Sequence, residues 1–312
     1  MGSPLVLTGA APAIVPGQFV ITDREFRRIG ALVYQQTGIA LGESKRHLVC
    51  SRLGKRLRHC GYRTFKEYYE HLMERDPMGE ELRRMINAIT TNRTDFFREA
   101  DHFAFLRSEI LAPLAAEAQV GGSRRLRIWS AGCSSGEEPY SIAITVVDGL
   151  PNIWAWDVKI LASDINTDML AQGKEGVYRA ERLAGIPPAL RKRYFHGGGG
   201  AREGPVRVRK DVKDLVAFRR INLQEEDWPI RTVFDVIFCR NVIIYFDKPT
   251  QERLVTRLAN ILKPGGFLFL GHSESLLGMQ VDLRHLGKTV YQKTGRKEDW
   301  PGQGGVWVTG QK

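Results

Sequence analysis

Ile128-Trp129-Ser130-Ala131-Gly132-Cys133-Ser134-Ser135-Gly136-Glu137-Glu138-Pro139-Tyr140 runs from an apolar strand through a loop of small residues into a helix with an acidic first turn. Small residues let a ligand lie against bare backbone. The helix start offers N–H groups without intrahelical partners. A phosphate would favour those bare N–H groups together with lysine. Two carboxylates suit a ligand that carries an amino group instead. The stretch also lacks the G-x-G-x-x-G spacing of the dinucleotide fingerprint and the G-K-[ST] ending of a phosphate loop. The combination points to S-adenosylmethionine (SAM) rather than to a nucleoside triphosphate or NAD. Ser135 to Glu138 fits a capping box as well, so the pattern does not separate Glu137 from Glu138 as the ligand contact.

Outward from this loop, strand and helix alternate. Arg124–Trp129 reads as a strand, Glu137–Asp148 as a helix and Val158–Ala162 as a second strand that ends at Ser163-Asp164. A helix follows from Asp168, then come a strand at Phe234–Phe238, a helix at Thr250–Leu262 and a strand at Gly266–Leu270. This order predicts an α/β, Rossmann-like, doubly wound parallel sheet. Asp164 lies 28 residues past Gly136, at the second-strand position where an acid bonds ribose hydroxyls; it also suits a helix N-cap. Asn222-Leu223 closes the strand-like run Val216–Ile221, where Asn can read an adenine edge and Leu its face, or can simply turn the chain. Arg240, Asn241 and Tyr245 follow the apolar run Phe234–Phe238 and fall at the carboxyl edge, where ligands of open α/β sheets bind. Between about residues 176 and 220 the rhythm breaks. Pro187-Pro188, the glycines Gly197–Gly200 and the alternating Val206-Arg207-Val208-Arg209 predict a small antiparallel insertion.

The first part of the chain reads differently. Residues 1–18 are rich in Pro, Gly and Ala and are expected to form a disordered tail. Capping boxes at Thr22–Glu25 and Thr64–Glu67 open helices; Gly38 and Gly61 follow helices through Thr37 and from Ser44 to Cys60. A fourth helix spans Glu80 to about Thr90. The expected organisation is an all-α domain at 19–90, a linker at 91–100, an α/β domain at 101–294 and a tail at 295–312. Val49, Leu53 and Leu57 form the buried stripe of the second helix. Its other faces carry Arg46, Arg52, Lys55, Arg56 and Arg58, a basic surface suited to an acidic partner.

Composition bounds the function. The 312 residues are 43% hydrophobic and 26% charged, with a net charge of +11, which favours a polyanionic partner. Cys50, Cys60, Cys133 and Cys239 form no CxxC pair and have no zinc-type His spacing, so no metal is expected and a reducing compartment is. No apolar run approaches the ~20 residues of a membrane span. Met1–Gln18 lacks the basic start of a signal peptide. A cytoplasmic protein without membrane insertion is expected. Nucleic-acid methylation at amino groups uses [N/D/S]-P-P-[Y/F], but Pro187-Pro188 follows Ile186; carbon-5 chemistry wants a Cys beside Pro, which Cys239 is not.

Several strings occur in one order: Thr91-Asn92-Arg93-Thr94-Asp95-Phe96-Phe97-Arg98, Trp129–Ser141, Ala162-Ser163-Asp164-Ile165, Phe238-Cys239-Arg240-Asn241-Val242, Tyr245-Phe246 and Gly271-His272-Ser273-Glu274. Together they resemble the bacterial chemotaxis receptor methyltransferases of the CheR type over about residues 20–293. The resemblance implies a helical domain, a linker, and a SAM-dependent methyltransferase domain with an inserted antiparallel β-subdomain. It implies cofactor contacts from Asn92, Thr94, Arg98, Gly132, Glu137 or Glu138, Asp164, Asn222, Leu223, Arg240 and Asn241. Arg98 and Tyr245 take the places of residues close to the transferred methyl. The implied reaction is O-methylation of receptor glutamates to methyl esters, with S-adenosylhomocysteine as product and no metal. The implied partners are the methylation helices of methyl-accepting chemotaxis receptors, not nucleic acid. The compact Gly197–Gly200 loop is similar to that of members whose β-subdomain docks a receptor's C-terminal peptide. The alternatives are a nucleic-acid methyltransferase and a SAM-binding module without catalysis; the presence of both Arg98 and Tyr245 argues against the second.

Overall fold

The computed structural model describes residues 19–197 and 204–295. Residues 1–18, 198–203 and 296–312, and with them the expected N-terminal tail, most of the Gly197–Gly200 loop and all but the first residue of the expected 295–312 tail, lie outside the described residues. The chain divides into two compact units, one holding residues up to Tyr34 together with Leu41–Ile89, the other Gln35–Ala40 and the chain from Thr90 onward. No described helix is long and apolar enough to cross a membrane.

In the first unit, α1 (Asp23–Thr37, of which the residues to Tyr34 belong here), α2 (Arg46–Cys60), α3 (Phe65–Glu74) and α4 (Glu80–Ile89) follow the expected order. The first capping box closes in both directions: the Thr22 N–H donates to Glu25 at 2.8 Å and the Glu25 N–H to Thr22 Oγ1 at 3.3 Å. At the second, the Glu67 N–H donates to the Thr64 hydroxyl oxygen at 3.1 Å, while the Glu67 carboxylate accepts from the Arg63 N–H at 2.9 Å and not from Thr64. Gly61, at φ 78°, ends α2 in the left-handed region that glycine enters without steric cost. Phe26, Ile29, Val49, Leu53, Leu57, Phe65, Tyr68 and Met85 are buried among these helices. Each such side chain contributes roughly 1.5–3 kcal/mol when fully buried. The apolar stripe of α2 is as its spacing predicts, with Gly54 also buried.

Among the described residues the second unit has ten strands: β1 (Arg125–Ala131), β2 (Asp157–Asp164), β3 (Val177–Arg179), β4 (Phe195–Gly197), β5 (Pro205–Val208), β6 (Val216–Arg220), β7 (Phe234–Cys239), β8 (Leu262–Leu270), β9 (Leu283–Gly287) and β10 (Val290–Lys293). Seven of them form one sheet in the order β6-β2-β1-β7-β8-β10-β9. The first five are parallel, and β10 runs antiparallel to both β8 and β9. From β1 the chain winds outward through β2 to β6, then returns to β7 on the other side of β1. The topological switch point lies between β1 and β7, and in open α/β sheets ligands bind in the crevice outside the carboxyl ends of the strands at such a point. The interior of β1 is buried from Leu126 to Ala131. Phe238 and Phe269 stack with centroids 4.3 Å apart within one apolar layer. Trp129, Phe234 and Leu268 belong to another.

The segment after the linker is α-helical over Ala100–Phe105 and Ala112–Gln119 but takes a π turn over Leu106–Leu111. Pro113 follows that turn and cannot donate to the i−4 carbonyl, which interrupts the regular ladder. The insertion is a three-stranded sheet, β3-β5-β4, and not a single hairpin. It also ends earlier than residue 220, because β6 pairs in parallel with β2 in the main sheet.

Candidate active site

β1 delivers the glycine loop to the crevice. Gly132 and Gly136 both have positive φ, 80° and 97°. A Cβ at Gly132 would lie 2.4 Å from Val242 Cγ2, and one at Gly136 would lie 2.8 Å from the Tyr178 hydroxyl. Backbone conformation and close packing therefore both require glycine here. The loop is tied to β2: the Gly132 and Cys133 N–H groups donate to the Ser163 carbonyl at 2.8 and 2.9 Å. The Ser134 N–H donates to Asp164 Oδ2 at 2.8 Å.

Asp164 also accepts from the Asn166 N–H at 2.8 Å. Its carboxylate thus holds the loop and the next helix start, yet remains partly exposed at the end of β2. Burial raises its pKa above the ordinary aspartate value, against the lowering effect of the Asn166, Ser134 and Ile165 N–H groups. Asn166, not Asp164, caps the following helix through its side-chain oxygen. The capping alternative for Asp164 is thereby removed, and its spare lone pairs suit a ribose diol.

The structure separates the two glutamates. Glu137 is fully buried; Arg182 pairs with its Oε1, and the Ser135 hydroxyl donates to its Oε2 at 2.6 Å. Glu138 is 13% exposed along its side chain and accepts from Ser130 Oγ at 2.7 Å and from Arg240 Nη1 at 3.3 Å. Burial raises its pKa above the ordinary glutamate value, against the pull of Arg240 and, more weakly, Arg98. Of the two glutamates only Glu138 keeps any exposure, so it is the one a cationic amino group can reach and stabilise.

Arg240 is a strut. Its side chain is 1% exposed. Its Nε and Nη2 reach Glu99 Oε2 at 3.2 and 2.8 Å, and Nη2 also donates to the Arg98 carbonyl. Asn241 has φ 59°, a conformation that asparagine tolerates better than most residues. Its N–H donates to Glu274 Oε2 at 2.8 Å. Glu274, 3% exposed, also accepts from the N–H groups of Gly271 at 2.6 Å and Ile244 at 3.3 Å. It pins the turn Ile243–Tyr245 after β7. Among the described residues the Tyr245 hydroxyl has no hydrogen-bond partner.

The linker reaches the same place. The Asn92 carbonyl accepts from Ser134 Oγ at 2.9 Å, and the Thr94 carbonyl from Arg182 at 2.6 Å. Arg98 donates to the Arg93 carbonyl at 3.1 Å and is partly exposed. Asn92, Thr94, Arg98, Gly132, Glu138, Asp164, Arg240 and Asn241 are thus joined by short chains of contacts. Asn222 sits beside Asp164, since the Ile221 N–H donates to the Asp164 carbonyl at 3.3 Å. Its amide donates to the Gln36 carbonyl at 2.8 Å and its oxygen accepts from the Gln224 N–H at 3.1 Å. Those bonds hold it in place, while Leu223 packs against the core.

Sequence reasoning missed Glu99 and Arg182 as organising residues. Glu99 follows Arg98 directly, but its partner is 141 positions away. Cys133 and Cys239 are buried, and burial lifts both thiols well above their ordinary pKa. They remain protonated at neutral pH and are poor nucleophiles, which weighs against carbon-5 methylation of a base.

On the basic helix, Arg46 pairs with Asp23 and Glu43 at 2.9 and 2.8 Å. Arg52 donates to the Ile89 carbonyl and Arg56 pairs with Glu81. Arg58 lies over the Phe19 ring, 5.6 Å from its centroid, and it and Lys55 are exposed. Four of the five residues of the expected basic surface thus have partners within the helical unit itself.

A doubly wound parallel sheet, a glycine loop, an acid at the end of β2 and an accessible acid at the next helix start define the class: a SAM-dependent methyltransferase. The CheR methyltransferase SAM binding domain matches residues 92–292, and the CheR methyltransferase all-alpha domain matches residues 24–90. The chain belongs to the CheR methyltransferase family. It is 47% identical to chemotaxis protein methyltransferase 2 of Pseudomonas aeruginosa, over 90% of this chain and 97% of that one. It is 44% identical to the chemotaxis protein methyltransferase of Klebsiella aerogenes, over 93% and 96% of the two chains. For the Escherichia coli chemotaxis protein methyltransferase the identity is 42%, over 88% and 92%.

Proposed function

We propose that this enzyme methylates the γ-carboxylates of glutamates on chemotaxis receptors in the cytoplasm, giving methyl esters. The observation that carries the reading is the pair Asp164 and Glu138, two accessible acids on either side of the glycine loop in a chain that matches both parts of the family. SAM supplies an electrophilic methyl group on a positively charged sulfur. Asp164 is suited to the ribose hydroxyls and Glu138 to the amino group.

A free glutamate has a pKa near ~4.3 and is ionised at neutral pH. Its oxygen forms the new bond to the methyl carbon as the carbon–sulfur bond breaks, and the electron pair stays on sulfur. An anion and a cation become a neutral ester and a neutral thioether, with no proton to move. The residues need only align three atoms, which is worth roughly 7–11 kcal/mol in favourable cases. Arg98 offers a cation to the incoming carboxylate and Tyr245 a free hydroxyl; both orient rather than transfer protons. Lys55 and Arg58 supply attraction to an acidic receptor helix, and the neutral ester weakens that attraction once formed. The three-stranded insertion has strand edges at β3 and β4 to which a receptor's C-terminal peptide can add. Calorimetry with such a peptide tests this, and absence of binding removes it.

The central experiment is transfer of labelled methyl from SAM to purified receptor cytoplasmic fragments. A carboxyl ester releases methanol in mild alkali. A label that survives alkali, or that appears on nucleic acid instead, overturns the reading. Asp164→Ala is expected to abolish transfer.

A further inference from the structure

His102 is fully buried and carries a nitrogen that the fold leaves unsatisfied. Its Nε2 lies 2.7 Å from the Lys288 carbonyl. A carbonyl only accepts, so Nε2 carries the hydrogen. The other ring nitrogen, Nδ1, is buried and has no hydrogen-bond partner among the described residues. It faces Glu99 Oε2 at 3.5 Å without hydrogen-bonding to it. A buried polar atom left in this way is costly without a bridging group.

A third donor stands beside them. One donor atom each from Glu99, His102 and His272 all lie within 4.8 Å of one another. The His102 and His272 rings meet edge to face at 5.1 Å. His272 Nε2 is 3.1 Å from Asp101 Oδ1, which leaves the Nδ1 lone pair of that ring for a ligand. In both rings Nε2 is thus engaged by an oxygen, the outer contact that orients metal-binding histidines. For metal–ligand distances near ~2.1 Å, the 3.5 Å gap between His102 Nδ1 and Glu99 Oε2 subtends roughly 115°, close to a tetrahedral angle. The His272 side chain is 49% exposed and can make the remaining adjustment, and water can fill a fourth position.

We propose that Glu99, His102 and His272 form a binding site for a divalent transition-metal ion, of which zinc best fits two imidazoles and one carboxylate. The site is separate from the methyl-transfer chemistry, which needs no metal. It touches that chemistry through Glu99, whose Oε2 also binds Arg240 at 2.8 Å. A bound cation competes with Arg240 for this oxygen, so the site is weaker than a closed structural zinc site.

The test is calorimetric titration of zinc into chelator-treated full-length protein, with His272→Ala and His272→Gln alongside. One zinc per chain is expected, with affinity at least tenfold lower in both variants and unchanged in His285→Ala, a histidine outside the cluster. Cobalt in place of zinc is expected to give visible d–d absorption without thiolate charge transfer. No zinc binding, equal binding by wild type and both His272 variants, or a cobalt–thiolate band overturns the proposal. Thermal midpoints measured in chelator confirm that the variants are folded.

Discussion

Arg182 closes over Glu137 through Nε and Nη2, while the same Nη2 donates to the Thr94 carbonyl at 2.6 Å. One side chain thereby joins the glycine-loop helix to the linker segment. Arg182→Ala leaves a fully buried carboxylate without its cation. Removing one partner of a buried pair costs roughly 3–5 kcal/mol, and about 3 is expected because Arg182 is partly exposed to water. Denaturant titration checks this. Glu137→Gln is expected to cost less, because a neutral amide can stay buried.

The separation of Glu137 from Glu138 gives a second expectation. Glu138→Gln should weaken SAM binding at least tenfold with little loss of stability, whereas Glu137→Gln should chiefly lower stability. Calorimetry with SAM, paired with thermal midpoints, distinguishes them. If Glu137→Gln alone abolishes binding in a folded protein, the assignment of Glu138 is wrong.

How much of this could be seen in the chain depends on the range of the interaction. Thr22, Thr64 and Gly61 act within a few residues, so capping boxes and helix ends were readable. Leu126–Ala131 and Phe234–Cys239 are central strands buried on both faces and show as apolar runs. The strands β3 and β4 have three residues each, too few for a period to register. The β9–β10 hairpin turns through Lys288 and Thr289, both at positive φ, without the Asn-Gly signature of such turns. At the site, Asp164, Arg240 and Asn241 stand at strand ends and were visible by position. The networks that constrain them were not, because Glu99 with Arg240 and Glu137 with Arg182 are 141 and 45 residues apart.

The carboxylates also set a pH dependence. Glu138 and Asp164 have raised pKa values in the fold. The folded state then binds their protons more tightly than the unfolded chain. The stability these two groups provide is greatest below their unfolded values and is lost as pH rises through the folded values. Glu99 is held low and acts in the opposite sense: its contribution is present above the unfolded value and is lost as pH falls through the folded one. Binding of a cationic amino group needs Glu138 ionised. SAM affinity should therefore fall on acidification beginning at a higher pH than an ordinary glutamate would give, and Glu138→Gln should flatten that profile. An unchanged profile in the variant would show that another group is responsible.

On the proposed reading, Tyr245 bears on turnover rather than on affinity. Its hydroxyl has no partner among the described residues, and Glu274 fixes the turn that carries it. Tyr245→Phe should lower kcat about tenfold, equivalent to ~1.4 kcal/mol of barrier, with SAM affinity unchanged. A large loss of affinity with normal kcat would place the hydroxyl on the cofactor instead.

The basic helix yields a contrast between neighbours. Lys55 and Arg58 are exposed, so the double change to Ala should weaken receptor methylation and reduce its salt dependence, since exposed charges are screened over about 10 Å at 0.1 M salt. Arg56 is one residue from Lys55 but belongs to the interior. It pairs with Glu81, which is 6% exposed and also accepts from the Tyr68 hydroxyl at 2.7 Å. Arg56→Ala should therefore unfold the helical unit at lower denaturant, by about 3 kcal/mol, and affect methylation only through lost protein. Initial rates measured across a salt series, with each variant's folded fraction determined in parallel, separate the two effects. If Arg56→Ala is stable and selectively loses receptor methylation, Arg56 belongs to the recognition surface after all. If Lys55 and Arg58 can both be removed without changing the salt slope, α2 does not provide the electrostatic attraction to the receptor.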